Sequence, residues 1–342
     1  MLMFKNSPRP AFIFGAVLFG SVFALIIAES ALRLAGFEFD LYPTKVQFGW
    51  PDPVTIVTRY QADQQLLWVP RGYYSTLDSA VASVPTVVFM GDSCTEFGRY
   101  DQHLGSLVTK RYREADFSYV NMGVGGWSSY QGLVQMRRDI VRIQPSIVTV
   151  YFGWNDHWRS YGIADKDIGE FYESYPPLLL ALSRARVVQL IKKGLFALRL
   201  TDDGNTSEMP ERVSLADFES NLTSIVQIAR HNGIKPVLIT APTSHERGRE
   251  PAYLVPRWLN DLEDLVPLHQ KYAQVVREVS ARHQVMLVDL HAEFKSMSRD
   301  ERDSYFNDDG IHLNEKGNRR VAEMLLLHFR RHDLLQPPND RD

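Results

Sequence analysis

At 342 residues the chain can build one large domain or two small ones, and 44% hydrophobic beside 23% charged residues is the balance of a globular protein. Its 38 Lys and Arg nearly match 41 Asp and Glu, leaving a net charge of −3 with no clustered basic patch, which argues against a nucleic-acid partner. The lone cysteine, Cys94, excludes an internal disulfide.

Residues 11–28 carry no charge over eighteen positions, a helix of about 27 Å against a hydrocarbon core of ~30 Å. Lys5 and Arg9 precede this run, and Glu29, Glu38 and Asp40 follow it, so the positive-inside rule predicts a cytoplasmic N-terminus and an exported remainder. Residues 1–28 are therefore read as a cytoplasmic tip and single-pass membrane anchor. The competing readings are a signal peptide cleaved near Ala28-Glu29-Ser30 and a buried core helix. Residues 29–83 form a connecting segment. Its first part, 29–37, has helical spacing at Leu32, Leu34 and Phe37 and is expected at the membrane surface; the rest is rich in proline and aromatics and is expected to pack on the core as short strands and turns.

From residue 84 apolar strands alternate with helices. Strands are predicted at 84–91, 118–124, 147–152, 235–240 and 285–289, with helices at 130–143, 215–232, 260–282 and 315–331. This pattern predicts a flavodoxin-like, three-layer α/β/α domain with about five parallel strands over 84–335, and a frayed tail at 336–342. An insertion, 157–214, is far longer than an ordinary crossover. It contains a leucine-rich stretch, 178–200, with Arg184, Arg186, Lys192, Lys193 and Arg199. Packing on the parent domain is the expected fate of this basic amphipathic stretch, with a lid over the site or a membrane-lying helix as alternatives.

The polar residues that interrupt the apolar runs fall at one sheet edge. Gly91-Asp92-Ser93 ends the first strand and puts a serine hydroxyl where ligands bind in open α/β sheets. The second strand ends in Asn121-Met122-Gly123-Val124-Gly125-Gly126, the third in Gly153-Trp154-Asn155-Asp156, and Asp308-Asp309-Gly310-Ile311-His312-Leu313-Asn314 precedes the last helix. Glycines let the backbone approach a ligand and present N–H groups, and Asn155 offers an amide donor.

These blocks, in this order over 84–329, resemble the SGNH hydrolase superfamily, the GDSL esterases. The resemblance implies Ser93 as nucleophile, His312 as base and Asp309 as its orienting carboxylate. It implies an oxyanion hole from the Ser93 and Gly126 N–H groups and the Asn155 side chain, with Gly125 as the alternative to Gly126. The chemistry is coherent: a serine hydroxyl needs an imidazole to take its proton, a carboxylate fixes the imidazole tautomer, and preset donors stabilise the oxyanion. Asp309 and His312 have a competing reading as caps of the final helix. Asp92 and Asp156 are expected to hold loops, and Cys94 to be a small core residue. His157, His245, His283 and His291 lack ligand spacing, so neither metal nor cofactor is expected. Trp127, Trp154 and Trp158 are read either as core or as platforms for a sugar ring.

The expected function is a membrane-anchored, exported serine esterase that removes acyl groups, acetyl first, from a carbohydrate or envelope polymer. A lipid esterase or lysophospholipase, an O-acyltransferase and a non-enzymatic glycan-binding subunit are the alternatives. The expected partners are an acylated glycan or lipid and the membrane; the oligomeric state is not legible.

Overall fold

Residues 10–39, 50, 58–112, 117–160, 163–199, 210–254 and 261–335 are described by the structure, a computed structural model. The predicted tip at 1–9 and tail at 336–342 lie outside the described residues. The first helix, α1 (Pro10–Leu34), does not stop where the charge-free run ends but continues through Glu29 to Leu34. It closes on Gly36 (φ +65°), with the N–H of Phe37 bonded to the carbonyl of Leu32 and that of Gly36 to Arg33, a left-handed cap that glycine adopts without strain. Thus 29–34 continue the apolar helix, as their helical spacing predicts. Over Phe12–Leu34 this helix is long and apolar enough to cross a membrane, and none of its most apolar stretch is buried.

A two-stranded antiparallel hairpin, β1 (Tyr60–Asp63) and β2 (Leu67–Pro70), and helix α2 (Tyr73–Ser83) follow. The helix buries Tyr73, Leu77 and Ala80, an i, i+4, i+7 stripe that was not read from the sequence. It ends at Val84, whose left-handed φ of +47° excludes it from the strand assigned there. The main sheet then contains β3 (Val87–Gly91), β4 (Tyr119–Asn121), β5 (Ile147–Tyr151), β6 (Lys235–Ile239) and β7 (Met286–Val288). All four pairings are parallel, in the order β4-β3-β5-β6-β7.

The helices of the domain are α3 (Ser93–Glu96), α4 (Tyr100–Arg111), α5 (Ser129–Gln135), α6 (Asp165–Glu173), α7 (Pro177–Ser183), α8 (Arg186–Arg199), α9 (Leu215–His231), α10 (Leu265–His283), α11 (Leu290–Lys295), α12 (Arg299–Asp303) and α13 (Glu315–Arg331). Helix α5 runs on through a π turn at Met136–Ile140. Within the stretch 178–200, the described residues 178–199 are two helices rather than one, parted at Arg184 and Ala185, where the Ser183 hydroxyl donates to the Leu180 carbonyl.

Strand residues divide by parity, as a sheet covered on both faces requires. Val88, Met90, Val148, Val150 and Leu238 pack with α5 and α9, while Val87, Phe89, Ile147, Tyr151, Val237 and Ile239 pack with α4 and α13. The chain leaves β3 for β4 on one side and returns to β5 on the other. The crevice at the carboxyl ends of β3 and β5 is therefore a topological switch point, the place where such sheets bind ligands.

Candidate active site

Strand β3 ends at Gly91, where a Cβ would come within 2.1 Å of the Thr95 hydroxyl and 2.6 Å of the Tyr151 carbonyl, so no side chain fits the turn. Asp92 then caps α3 by accepting the Cys94 N–H at 2.8 Å, which leaves Ser93 at the first helical position. Burial raises the Asp92 pKa to about 6, against the pull of that N–H. Cys94 is buried, and burial pushes its thiol well up, away from the reactive thiolate.

At the other end of the domain, Asp309 folds its own turn. Its Oδ1 accepts the N–H groups of Ile311 and His312, each at 2.9 Å, while Gly310 takes φ +69°. Asn314, not Asp309, caps α13, accepting the Gly317 N–H at 3.1 Å. The second carboxylate oxygen of Asp309 is thereby left for His312 Nδ1 at 2.6 Å, and His312 Nε2 lies 2.9 Å from Ser93 Oγ. Burial opposes the charge of both groups, yet their contact prevails: the Asp309 carboxyl is held below its usual range, and His312 is raised above 6.5, with Asp92 adding to the lift. The Asp309 carbonyl accepts the Tyr253 hydroxyl at 3.1 Å and lies 2.9 Å from His245 Nε2.

Gly125 and Gly126 line the same cavity as Ser93 and His312. The Gly125 N–H is taken by the Glu96 carboxylate, whereas that of Gly126, at φ +79°, has no partner among the described residues. Asn155 is buried just behind; its Nδ2 donates to the Trp127 carbonyl at 3.0 Å and, more weakly at 3.4 Å, to Asp92 Oδ2.

Four supports of this glycine turn were not legible. Arg212, at the end of the insertion, donates to the Gly126 carbonyl at 2.8 Å and is paired with Asp165 at 2.7 Å, both side chains having no exposure. Asp165 also accepts the Ser128 hydroxyl at 2.7 Å. From the connecting segment, Trp68 Nε1 donates to the Gly125 carbonyl at 3.0 Å, Trp127 Nε1 returns to the Trp68 carbonyl at 3.0 Å, and Tyr60 donates to Glu96 at 2.7 Å. The sequence signal available was small: Asp165 and Arg212 are charges inside an otherwise unassigned insertion, and Tyr60 and Trp68 are aromatics among many.

The cavity has a volume of about 400 Å³ and is walled by Tyr60, Phe97, Gly98, Asn307 and Leu313 around the residues above. Among the described residues of 157–214, none lines it. A larger groove of about 880 Å³ between α10 and α11, lined by Lys271, Arg277 and Lys295, contains none of this machinery. Trp127, Trp154 and Trp158 are all buried, which decides for the core reading over the sugar platforms. Three of the four histidines that look scattered in sequence converge with His269. Trp154 stacks on His269 at 4.0 Å and has the rings of His157 and His245 within 6 Å, while His291 lies 5.6 Å from His269. Burial holds them neutral, His157 at about 3. Among the described residues no group of three or more His, Cys, Asp or Glu is placed to hold a metal ion. Asp156, like Asp92, serves a loop: it accepts the Ser129 N–H at 2.8 Å, and burial raises it to about 7.

The sequence profile of the GDSL-like Lipase/Acylhydrolase family matches residues 89–320. Among solved structures, a lipase/acylhydrolase from Enterococcus faecalis is similar at 15% identity and TM-score 0.48, covering 75% of this chain and 99% of its own. A GDSL-like lipase from Bacteroides thetaiotaomicron is 15% identical at TM-score 0.47, covering 76% and 98%. An acetylxylan esterase from Geobacillus stearothermophilus is 16% identical at TM-score 0.44, covering 71% and 92%. No curated protein sequence matches the chain.

Proposed function

The chain belongs to the GDSL-like lipase/acylhydrolase family, a hydrolase acting on ester bonds, and on that premise we propose that Ser93, His312 and Asp309 cleave a small acyl ester, acetyl first, carried by a glycan or envelope polymer. The observation that carries this reading is the unbroken contact from Ser93 Oγ to His312 Nε2 to the Asp309 carboxylate, at 2.9 and 2.6 Å. Ser93 Oγ attacks the carbonyl carbon as His312 takes its proton, and the carbonyl electron pair moves onto oxygen. The Ser93 and Gly126 N–H groups receive that oxyanion, and Asn155 joins them by exchanging its long bond to Asp92 for the developing charge. Collapse expels the alcohol, protonated by His312, and water releases the acyl group by the same steps. The compact cavity favours a short acyl chain, and exposed Phe97, with the Arg59 guanidinium 4.3 Å over its ring, is the aromatic surface left for the alcohol part.

We also assign α1 as a retained single-pass anchor with a cytoplasmic N-terminus and an exported domain. Supporting retention, Glu29 at the candidate cleavage point lies inside a continuous helix and accepts the Val187 N–H at 3.0 Å. A lipid ester is the second reading, favoured by exposed leucines on α7 and α8. The test is acetate release by the full-length protein in detergent across acetylated glycans and acyl lipids, with and without acceptor sugars, against Ser93→Ala. Release from glycans that falls by on the order of 10⁵- to 10⁶-fold in the variant supports the proposal. Equal, negligible rates for both proteins sink it.

A further inference from the structure

Helix α8 is built inside out for a helix in water. At about 100° per residue, Leu190, Gly194, Val187, Ile191, Leu195 and Val188 share one arc of roughly 160°, and Lys192, Gln189, Lys193 and Arg186 share the opposite one. A soluble domain turns the apolar arc inward. Here it is the polar arc that makes contacts with residues 37–39: buried Gln189 accepts the Phe39 N–H at 3.0 Å, half-buried Arg186 lies 3.6 Å from Glu38, and the ammonium of exposed Lys193 sits 5.6 Å over the Phe37 ring. The apolar arc faces out, with Leu190, Ile191 and Leu195 between 45% and 59% exposed, and the preceding α7 likewise exposes Leu178, Leu179 and Leu182.

What covers this face is indicated by where the helix is tied. Its amino end is bonded to α1 through the Val187 N–H and the Glu29 carboxylate, one residue beyond the charge-free run 11–28. If α1 crosses the bilayer, α8 begins at the depth where the hydrocarbon gives way to headgroups, the depth at which amphipathic helices lie flat. We infer that α7 and α8 form a second membrane-contacting surface, seated in the phospholipid interface beside α1, with their leucines among the acyl chains and Arg184, Arg186 and Lys193 at headgroup level. The domain is then held to the bilayer at two points, which fixes its orientation in a way a single helix cannot. This inference rests on the reading of α1 as a retained anchor, but not on the chemistry of Ser93.

The test uses full-length protein in phosphatidylcholine–phosphatidylglycerol vesicles, spin-labelled singly through Ile191→Cys, Leu195→Cys, Val17→Cys in α1 or Lys271→Cys on α10. Collision with oxygen, which concentrates in lipid, is compared with collision with a water-soluble nickel chelate. Labels at 191 and 195 should share the oxygen-rich, nickel-poor signature of 17, while the label at 271 is open to nickel. Nickel access at 191 and 195 with 17 in lipid overturns the inference and leaves the anchor standing. Nickel access at 17 removes the anchor, and the inference with it. Shielding of 191 and 195 from both reagents means a protein partner covers the face, which also overturns it. As a further check, joint Leu190→Gln, Ile191→Gln and Leu195→Gln should leave the detergent-solubilised protein folded and its hydrolysis of a soluble acetate ester unchanged. Loss of folded protein would mean the arc is internal packing and would overturn the inference.

Discussion

Asp309 and His312 lie three residues apart and are brought together by two backbone N–H bonds within one turn, whereas Gly126 is held from 86 residues away by a buried Arg212 that in turn needs Asp165. The base side of the site is a local structure delivered as a unit to Ser93. The donor side is a long-range one, assembled from the connecting segment through Tyr60 and Trp68 and from the insertion through Asp165 and Arg212. Under the proposed mechanism, errors in the first remove the chemistry at once. Errors in the second then loosen the fold and the proposed oxyanion donors together, because the same buried charges support both.

The largest expected effect separates the two sides by pH. Asp309→Asn should lower kcat by about 10⁴-fold, since the amide no longer holds the tautomer or stabilises the imidazolium. With His312 as the proposed base, hydrolysis needs its neutral form. In the native protein the rate therefore falls as pH drops through a pKa raised above 6.5 by Asp309, and in the variant that acidic limb should move to lower pH even as the plateau falls. The check is kcat/KM for nitrophenyl acetate from pH 5 to 9; a limb that stays in place would show that another group titrates.

Next is the buried pair. Arg212→Met strands the Asp165 carboxylate without exposure and should cost about 3–5 kcal/mol in denaturant unfolding. Arg212→Met with Asp165→Leu should recover most of that stability while activity stays low, because the Gly126 carbonyl has still lost its donor. Full recovery of both would reduce the pair to packing. Asn155→Ala should then lower kcat by about 100- to 1000-fold with little change in KM, as expected for a donor engaged in the transition state; a rise in KM alone would remove it from that role.

The same division explains what could be read without coordinates. Ser93 and the Asp309–His312 turn are legible because short spacing and strand-end placement carry them. The inner strands Val87–Gly91 and Ile147–Tyr151 are legible because both faces are buried and the runs are almost continuously apolar. Helix α2 was missed because its stripe sits in a segment dominated by prolines and aromatics. The break between α7 and α8 was missed because nothing but Ser183 marks it. Position beside the loop motifs left the tryptophans open between core and rim, and burial places all three in the core. Pairing between Asp165 and Arg212 is a property of the packed chain, and no local pattern encodes it.

The smallest effect tests whether the donor side is felt through a single neutral hydrogen-bond donor. Tyr60 donates to Glu96, and Glu96 holds the Gly125 N–H and lies 3.0 Å from Arg59. Tyr60→Phe keeps the ring on the cavity wall and removes one bond to a carboxylate, a loss of about 1.5–3 kcal/mol at full strength. Because Glu96 retains its other two partners, the oxyanion donors should shift only slightly, and kcat should fall by less than about tenfold, roughly the 1.4 kcal/mol equivalent. Burial, with Glu96 beside it, raises the Tyr60 hydroxyl well above its ordinary range, so it stays protonated throughout the working pH. The ratio of native to variant kcat/KM should therefore be flat from pH 6 to 9, unlike the moving limb of Asp309→Asn. A ratio that follows the titration of His312 would join Tyr60 to the base side and dissolve the division between the two halves of the site.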